Sequence, residues 1–322
     1  MDAGVPIAQV TRSGWVESIH SGHAVLVDAS GSVLEAWGSP AEPVLARSSN
    51  KPLQAVGMVQ AGLPLVGAQL AIAAASHSGE PFHLATVRAI LAGGGLTEED
   101  LANTPALPYW PAAQAEWLRS GRGPESVSQN CSGKHAAMLR TAQALGAPTA
   151  GYLAPEHPVQ RAALAGIEGM SGEPVAALGT DGCGAPVAAI SLVGLARAFS
   201  RMVQAAPDSA PGRVARAMAE HPEYVGGTDR DVTRFMQAVP GAIAKDGAEG
   251  VHAFALPDGR AGALKVSDGA ERARPAVVIA LLRHLGVLDQ AILAAAGPAP
   301  VLGGGRPVGA VDALIGPPPG HG

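Results

Sequence analysis

The run Ala46-Arg47-Ser48-Ser49-Asn50-Lys51-Pro52 places a hydroxyl three residues before an amine. On a helix Ser48 and Lys51 would share one face, because residues three apart are helix neighbours. A serine hydroxyl is a poor nucleophile at neutral pH. A lysine kept neutral by burial or by other cations can take its proton. S-x-x-K therefore encodes an acyl-transfer device in four residues. The same spacing also suits an N-cap serine followed by a solvated lysine, so the rest of the chain must decide.

Four further segments combine reactive side chains with glycine. Ala75-Ser76-His77-Ser78-Gly79-Glu80-Pro81 follows an apolar run and precedes a predicted helix, where hydroxyls and backbone N–H groups can face a cleft. Ser128-Gln129-Asn130-Cys131-Ser132-Gly133-Lys134-His135 and Gly179-Thr180-Asp181-Gly182-Cys183-Gly184-Ala185-Pro186 carry the two cysteines of the chain. Both thiols sit in polar, Gly-bearing junctions, whereas a purely structural cysteine favours apolar surroundings. They read as a ligand pair, a redox pair or two unrelated buried thiols. Leu264-Lys265-Val266-Ser267-Asp268-Gly269 ends an apolar strand pattern on a lysine, which could snorkel from the strand end or face the S-x-x-K helix. His20-Ser21-Gly22-His23 reads as a loop entering the first strand rather than as a metal site.

These segments need a scaffold. The 322 residues are 47% hydrophobic and 15% charged, enough for a sizeable core. A net charge of −5 gives no footprint for nucleic acid or an anionic membrane. There is no signal-peptide pattern, and no apolar stretch reaches the roughly 18 residues of a membrane span. A soluble, cytoplasmic protein is expected.

Strands are predicted over 24–27 and 32–37, around an Asp-Ala-Ser-Gly turn, and over 250–256 and 261–266, around Pro257-Asp258-Gly259-Arg260. Between them run predicted helices over 52–60, 81–91, 133–145, 158–170, 186–204, 211–220 and 229–238, several opening on Pro and closing on Gly. One more is predicted over 275–285. The fold class expected is α+β in one catalytic domain spanning 1–322. Both termini, about 1–45 and 240–300, build a mainly antiparallel sheet flanked by helices. A central helical lobe covers about 50–235, a cleft lies between sheet and lobe, and the tail of about 316–322 is frayed.

In order along almost the whole chain, these segments resemble the asparaginase II family, the thermolabile or rhizobial type of L-asparaginase. The resemblance runs from Val16-Glu17-Ser18-Ile19-His20 through the Ser48, Ser76, Cys131 and Cys183 segments to Lys245-Asp246-Gly247-Ala248-Glu249-Gly250 and Lys265-Val266-Ser267-Asp268-Gly269. It implies a fold similar to serine β-lactamases and glutaminases, and hydrolysis of L-asparagine to L-aspartate and ammonia. It implies two Ser-Lys pairs, Ser48 with Lys51 and Lys265 with Ser76, Ser78 standing in reserve. It also implies zinc held by Cys131, Lys134 and Cys183, and a homodimer. Where some members carry a further cysteine, this chain has Val251-His252-Ala253.

The expected chemistry is attack by Ser48 on the side-chain amide carbon, with Lys51 as base and backbone N–H groups on the oxyanion. Charge logic gives Arg47 to the substrate α-carboxylate and Asp181 to its α-ammonium. Rival readings are a glutaminase or other small-amide hydrolase, a metal- or amino-acid-binding protein without turnover, and a penicillin-binding protein.

Overall fold

The computed structural model describes residues 2–316; the predicted frayed tail, apart from Gly316, lies outside the described residues. In chain order the strands are β1 (Val5–Arg12), β2 (Trp15–Val27), β3 (Val33–Trp37), β4 (Pro43–Leu45), β5 (Ala177–Thr180), β6 (Pro186–Ser191), β7 (Ile243–Gly247), β8 (Val251–Ala255), β9 (Ala261–Val266), β10 (Val301–Gly303), β11 (Arg306–Gly309) and β12 (Val311–Ala313). The helices are α1 (Lys51–Gln60), α2 (Gly67–Ala73), α3 (Pro81–Ala92), α4 (Pro111–Arg119), α5 (Ser132–Ala144), α6 (Pro158–Ser171), α7 (Leu192–Gln204), α8 (Ala210–Glu220), α9 (Pro222–Val225), α10 (Asp231–Ala238), α11 (Ala273–His284) and α12 (Gln290–Ala296).

The main sheet is antiparallel, in the order β12-β1-β2-β9-β8-β7, with β3 also on β2. The long β2 pairs with β1 along its first half and with β3 along its second, while β9 takes its other side from Gly22 to Val27. Both predicted hairpins form. In the first, Gly31 takes φ 83° and the Asp28 carboxylate accepts from the Ser30 and Ser32 amides, as a turn-forming aspartate does. In the second, the Leu256 amide donates to the Arg260 carbonyl across Pro257-Asp258-Gly259.

The expected architecture holds: the termini build the sheet and helices fill the middle. Four expectations change. The His20 segment is not a loop but lies within β2, where His23 accepts from the Ser39 amide. The sheet contribution from the C-terminus extends to Ala313. The helical lobe also holds a small sheet, β4-β6-β5. Finally, the predicted helix over 186–204 is a strand followed by a helix. Pro186-Val187-Ala188-Ala189-Ile190-Ser191 is wholly buried between β4 and β5, and the Ser191 hydroxyl then caps α7 by accepting from the Gly194 amide. An apolar run read without its cap merges the two elements.

One continuous core joins sheet and lobe, including Val25 and Leu26 of β2, Phe254 of β8, Phe199 of α7 and Val277 of α11. Within the lobe α1 and α6 cross almost backbone to backbone. A Cβ on Gly57 would stand 2.0 Å from the Ala162 carbonyl oxygen, and one on Gly166 would meet the Gly57 nitrogen at 2.5 Å. This close crossing fixes α1, and with it the first residues of that helix. The edge strand β7 runs beside the turn that leads into α1.

Candidate active site

Arg47 opens the site with φ 49°, in the left-handed region that residues other than glycine rarely enter. Such backbone costs on the order of 1–3 kcal/mol and persists only when its surroundings impose it. Here the next residues are fastened on two sides. Arg47–Asn50 form one turn of 3-10 helix before α1. The Ser49 hydroxyl donates to the Lys245 carbonyl on β7, and the Asn50 amide to the Ala188 carbonyl on β6. Pro52 lies in the first turn of α1, where its missing N–H costs nothing. The outcome is a half-buried Ser48 held between two sheets. Its amide opens the turn, where the first N–H groups of a helix have no partner within it.

Lys51 follows at the start of α1 and is buried. Its amine does not turn back to Ser48. It donates to the Ala75 carbonyl at 2.6 Å, the Ser76 hydroxyl at 2.9 Å and the Cys131 sulfur at 3.1 Å. Ser76 is set by its own backbone, whose amide donates to Val225, while His77 donates to Asn130. Ser78 is turned away: its hydroxyl is buried without a partner beside Gly227. Of the two serines in this segment, Ser76 is the one that touches a lysine.

Lys265, on β9, does not meet Ser76. Its amine donates to the Glu249 and Val266 carbonyls, both at 2.6 Å. Burial and the nearby Arg47 lower its pKa, against the pull of Glu249 and Asp268. The segment after it is anchored to β2, because the His20 ring bonds the Asp268 carboxylate at 2.7 Å and Arg272 donates to the other ring nitrogen. Arg47 and Asp181 are joined to each other, Nε to carboxylate, at 2.9 Å. Burial raises the Asp181 pKa, but Lys134, Lys51 and Arg47 together outweigh it and keep the group anionic.

The two cysteines are free, buried and adjacent. Cys131 lies at the N-cap of α5, and its thiol pKa falls well below the usual range through the neighbouring Cys183 thiol and the nearby Lys51 and Lys134 amines. Cys183 is pushed up by the neighbouring Cys131 and by burial, and its own thiol donates to the Asp181 carboxylate at 3.8 Å. Lys134 reaches the Cys183 sulfur at 3.4 Å, and both sulfurs with Asp181 raise its pKa in spite of burial. A metal-bound lysine must be deprotonated. The cluster is two sulfurs between two amines, and the described residues contain no group of three His, Cys, Asp or Glu side chains placed to share an ion. Zinc at Cys131, Lys134 and Cys183 would take a deprotonated Lys134 as its third protein ligand, with the Asp181 carboxylate 3.8 Å from the Cys183 sulfur.

A cleft of about 290 Å³ opens at Arg47, the residue before Ser48, and is lined by Pro43, Val44, Leu45, Arg47, Glu249 and Lys265. On β7, where the Lys245 carbonyl accepts from Ser49 of the serine turn, lies a charged group to which residue patterns gave no role. Lys245, fully buried on β7, donates to the Asp246 carboxylate at 2.7 Å; Arg230 and Arg274 also pair with Asp246. Burial pulls the Lys245 pKa down to about 8, against Asp246. Its signals in the sequence are a Lys-Asp pair set in the apolar run Ala242 to Gly247 and the place of that pair in a segment that carries the family resemblance, neither of which gives it a role. Gly247 ends β7 against the serine turn: a Cβ there would stand 2.9 Å from the Ala46 carbonyl oxygen and 3.3 Å from the Ser48 nitrogen.

With this geometry in hand, comparison with known proteins adds a family. The family model described as L-asparaginase II matches residues 8–313. Among solved structures, a beta-lactamase from Mycobacterium bovis is similar over 81% of this chain and 94% of its own, with 16% sequence identity and a TM-score of 0.45. Comparison with curated proteins gives no match.

Proposed function

The chain belongs to the L-asparaginase II family, and from that premise we propose that it hydrolyses L-asparagine to L-aspartate and ammonia through a serine acyl-enzyme. The observation that supports this most is the buried Lys51 amine, which touches Ser76 and follows Ser48 by three residues, in the segment whose Arg47 lines a cleft together with Lys265. An amine in contact with a hydroxyl inside a water-poor pocket is what a serine needs to lose its proton.

In this reading Ser48 Oγ forms the bond to the side-chain amide carbon of the substrate, and its proton passes to Lys51, with Ser76 as relay. The carbonyl π electrons move onto oxygen, which the Ser48 amide stabilises as an oxyanion donor. The oxyanion collapses, the C–N bond breaks, and the leaving nitrogen takes the proton and departs as ammonia. Water then cleaves the ester, restoring Ser48 and releasing aspartate. Arg47 binds the α-carboxylate with its terminal nitrogens, while Asp181 holds its Nε and so aims the guanidinium. No step uses a metal.

The Lys51–Ser76 contact also supports a second reading, in which Ser76 is the nucleophile and Ser48 the relay. Trapping the acyl-enzyme with an activated aspartyl ester and mapping the modified peptide separates them. Label on Ser48 supports the first reading, label on Ser76 the second, and no label overturns the serine mechanism. Ser48→Ala and Lys51→Met should each abolish turnover with the melting temperature retained. The double variant should be scarcely worse than either, because residues that act as a unit fail together.

A further inference from the structure

An α-amino acid brings two charges into a cleft, and the pairing of Arg47 with Asp181 leaves one of them without a reader. The Asp181 carboxylate is engaged by Arg47, with Lys134 and Lys51 close by. Asp268, near Lys265, is engaged by the His20 ring and by the Ala270 amide. The remaining cations of the cleft, Arg47 and Lys265, would repel an ammonium. Glu249 is the carboxylate among the cleft-lining residues, and among the described residues it makes no ion pair and no side-chain hydrogen bond.

Its placement is constrained. Glu249 has φ 63° in the turn between β7 and β8, a conformation that favours glycine, yet the turn carries a glutamate. The turn is clamped from two directions: the Lys265 amine donates to the Glu249 carbonyl, and the Val266 amide to the Gly250 carbonyl at 3.0 Å. The carboxylate itself lies over Gly269, where a Cβ would come within 2.5 Å of Oε2, and Gly269 at φ 76° leaves that space open. Glu249 is exposed at the rim of the cleft, its charge felt by the Lys265 amine, and a left-handed backbone that carries a carboxylate at such a rim is a feature that stability alone does not explain.

We propose that Glu249 reads the α-ammonium group of the amino-acid substrate, opposite Arg47 on the α-carboxylate. The inference rests on the asparaginase reading for the identity of the substrate, and it makes the enzyme selective for α-amino acid amides over amides that lack the amine.

Calorimetric binding of L-aspartate and of succinate, which differ only in the ammonium, tests it on the intact chain and on Glu249→Gln and Glu249→Gly. Wild type should favour L-aspartate. Both variants should lose about 10- to 100-fold of that preference, the range for a hydrogen bond to a charged group, and bind succinate as before or better. Glu249→Gly keeps a backbone conformation that glycine adopts freely, so an equal loss in both variants assigns the effect to the carboxylate. Retention of the wild-type preference in either variant would overturn the proposal, as would a wild-type chain that does not distinguish the two ligands. Intact discrimination in a chain that releases no ammonia from asparagine would defeat the hydrolase reading and leave Glu249 in place.

Discussion

Replacing Gly247 by alanine separates the positioning of Ser48 from the stability of the fold. The added methyl would meet the Ala46 oxygen at 2.9 Å, the Ser49 hydroxyl at 3.1 Å and the Ser48 nitrogen at 3.3 Å. Two of these are backbone atoms of the serine turn, so relief must come from moving the turn and β7 apart by a few tenths of an ångström. Misplacing reacting groups by 1 Å costs on the order of 100-fold, so a shift of about a third to half of that should lower kcat roughly 5- to 10-fold. Overpacking costs about 1–3 kcal/mol, so the variant should still fold. Gly169→Ala is the control: Gly169 is exposed on α6, and a Cβ there meets nothing within 4 Å. It should stabilise by about 0.5–1 kcal/mol with kcat unchanged. The assay is ammonia release at saturating asparagine alongside urea denaturation. A Gly247→Ala enzyme with wild-type kcat would refute the claim that β7 sets the nucleophile.

Three further outcomes are expected. Burial, with Arg274 adding to it, pulls the His252 pKa to about 4; the unfolded chain then binds this proton below its ordinary 6.5, so stability is intact above pH 6.5 and lost as pH falls towards 4. That loss is worth roughly 3 kcal/mol at about 1.4 kcal/mol per decade, and His252→Gln should shrink the difference between urea melts at pH 7 and pH 4.5 by most of it. Asparagine should exceed glutamine in kcat/KM by about 10- to 200-fold, the range for one methylene in a shaped pocket, and equal values would favour the glutaminase reading. In a reaction carried by the serine and lysine groups alone, dialysis against a chelator should leave ammonia release unchanged; loss restored by zinc would instead assign a required ion to Cys131, Lys134 and Cys183.

Much of the scaffold can be read from residues whose local rules agree with the fold. Pro52, Pro81 and Pro158 mark helix starts, and the Asp28 and Asp258 turns mark hairpins. The strand at Pro186 to Ser191 was hidden because alanines and valines suit helix and buried strand alike, and only Ile190 and the Ser191 cap separate it from α7. The chemistry-bearing residues were visible as types, but their partners were not. Nothing local to Lys51 says that its amine reaches the Ser76 and Cys131 segments rather than Ser48, since the side chain's direction is set by α2 and α5 packing around it. Nor does the spacing of Arg47 and Asp181, 134 residues apart, announce that they pair. Lys245 and Glu249 escaped assignment because their roles depend on a strand edge and a left-handed turn, which exist only once β7, β8 and β9 are paired.

Ammonia release by the purified chain, with L-asparagine and L-glutamine side by side and Ser48→Ala as the blank, tests the central claim most directly. The account predicts steady release from asparagine, a much slower release from glutamine, and none from the variant. Binding of asparagine without turnover, or full turnover in Ser48→Ala, would contradict it.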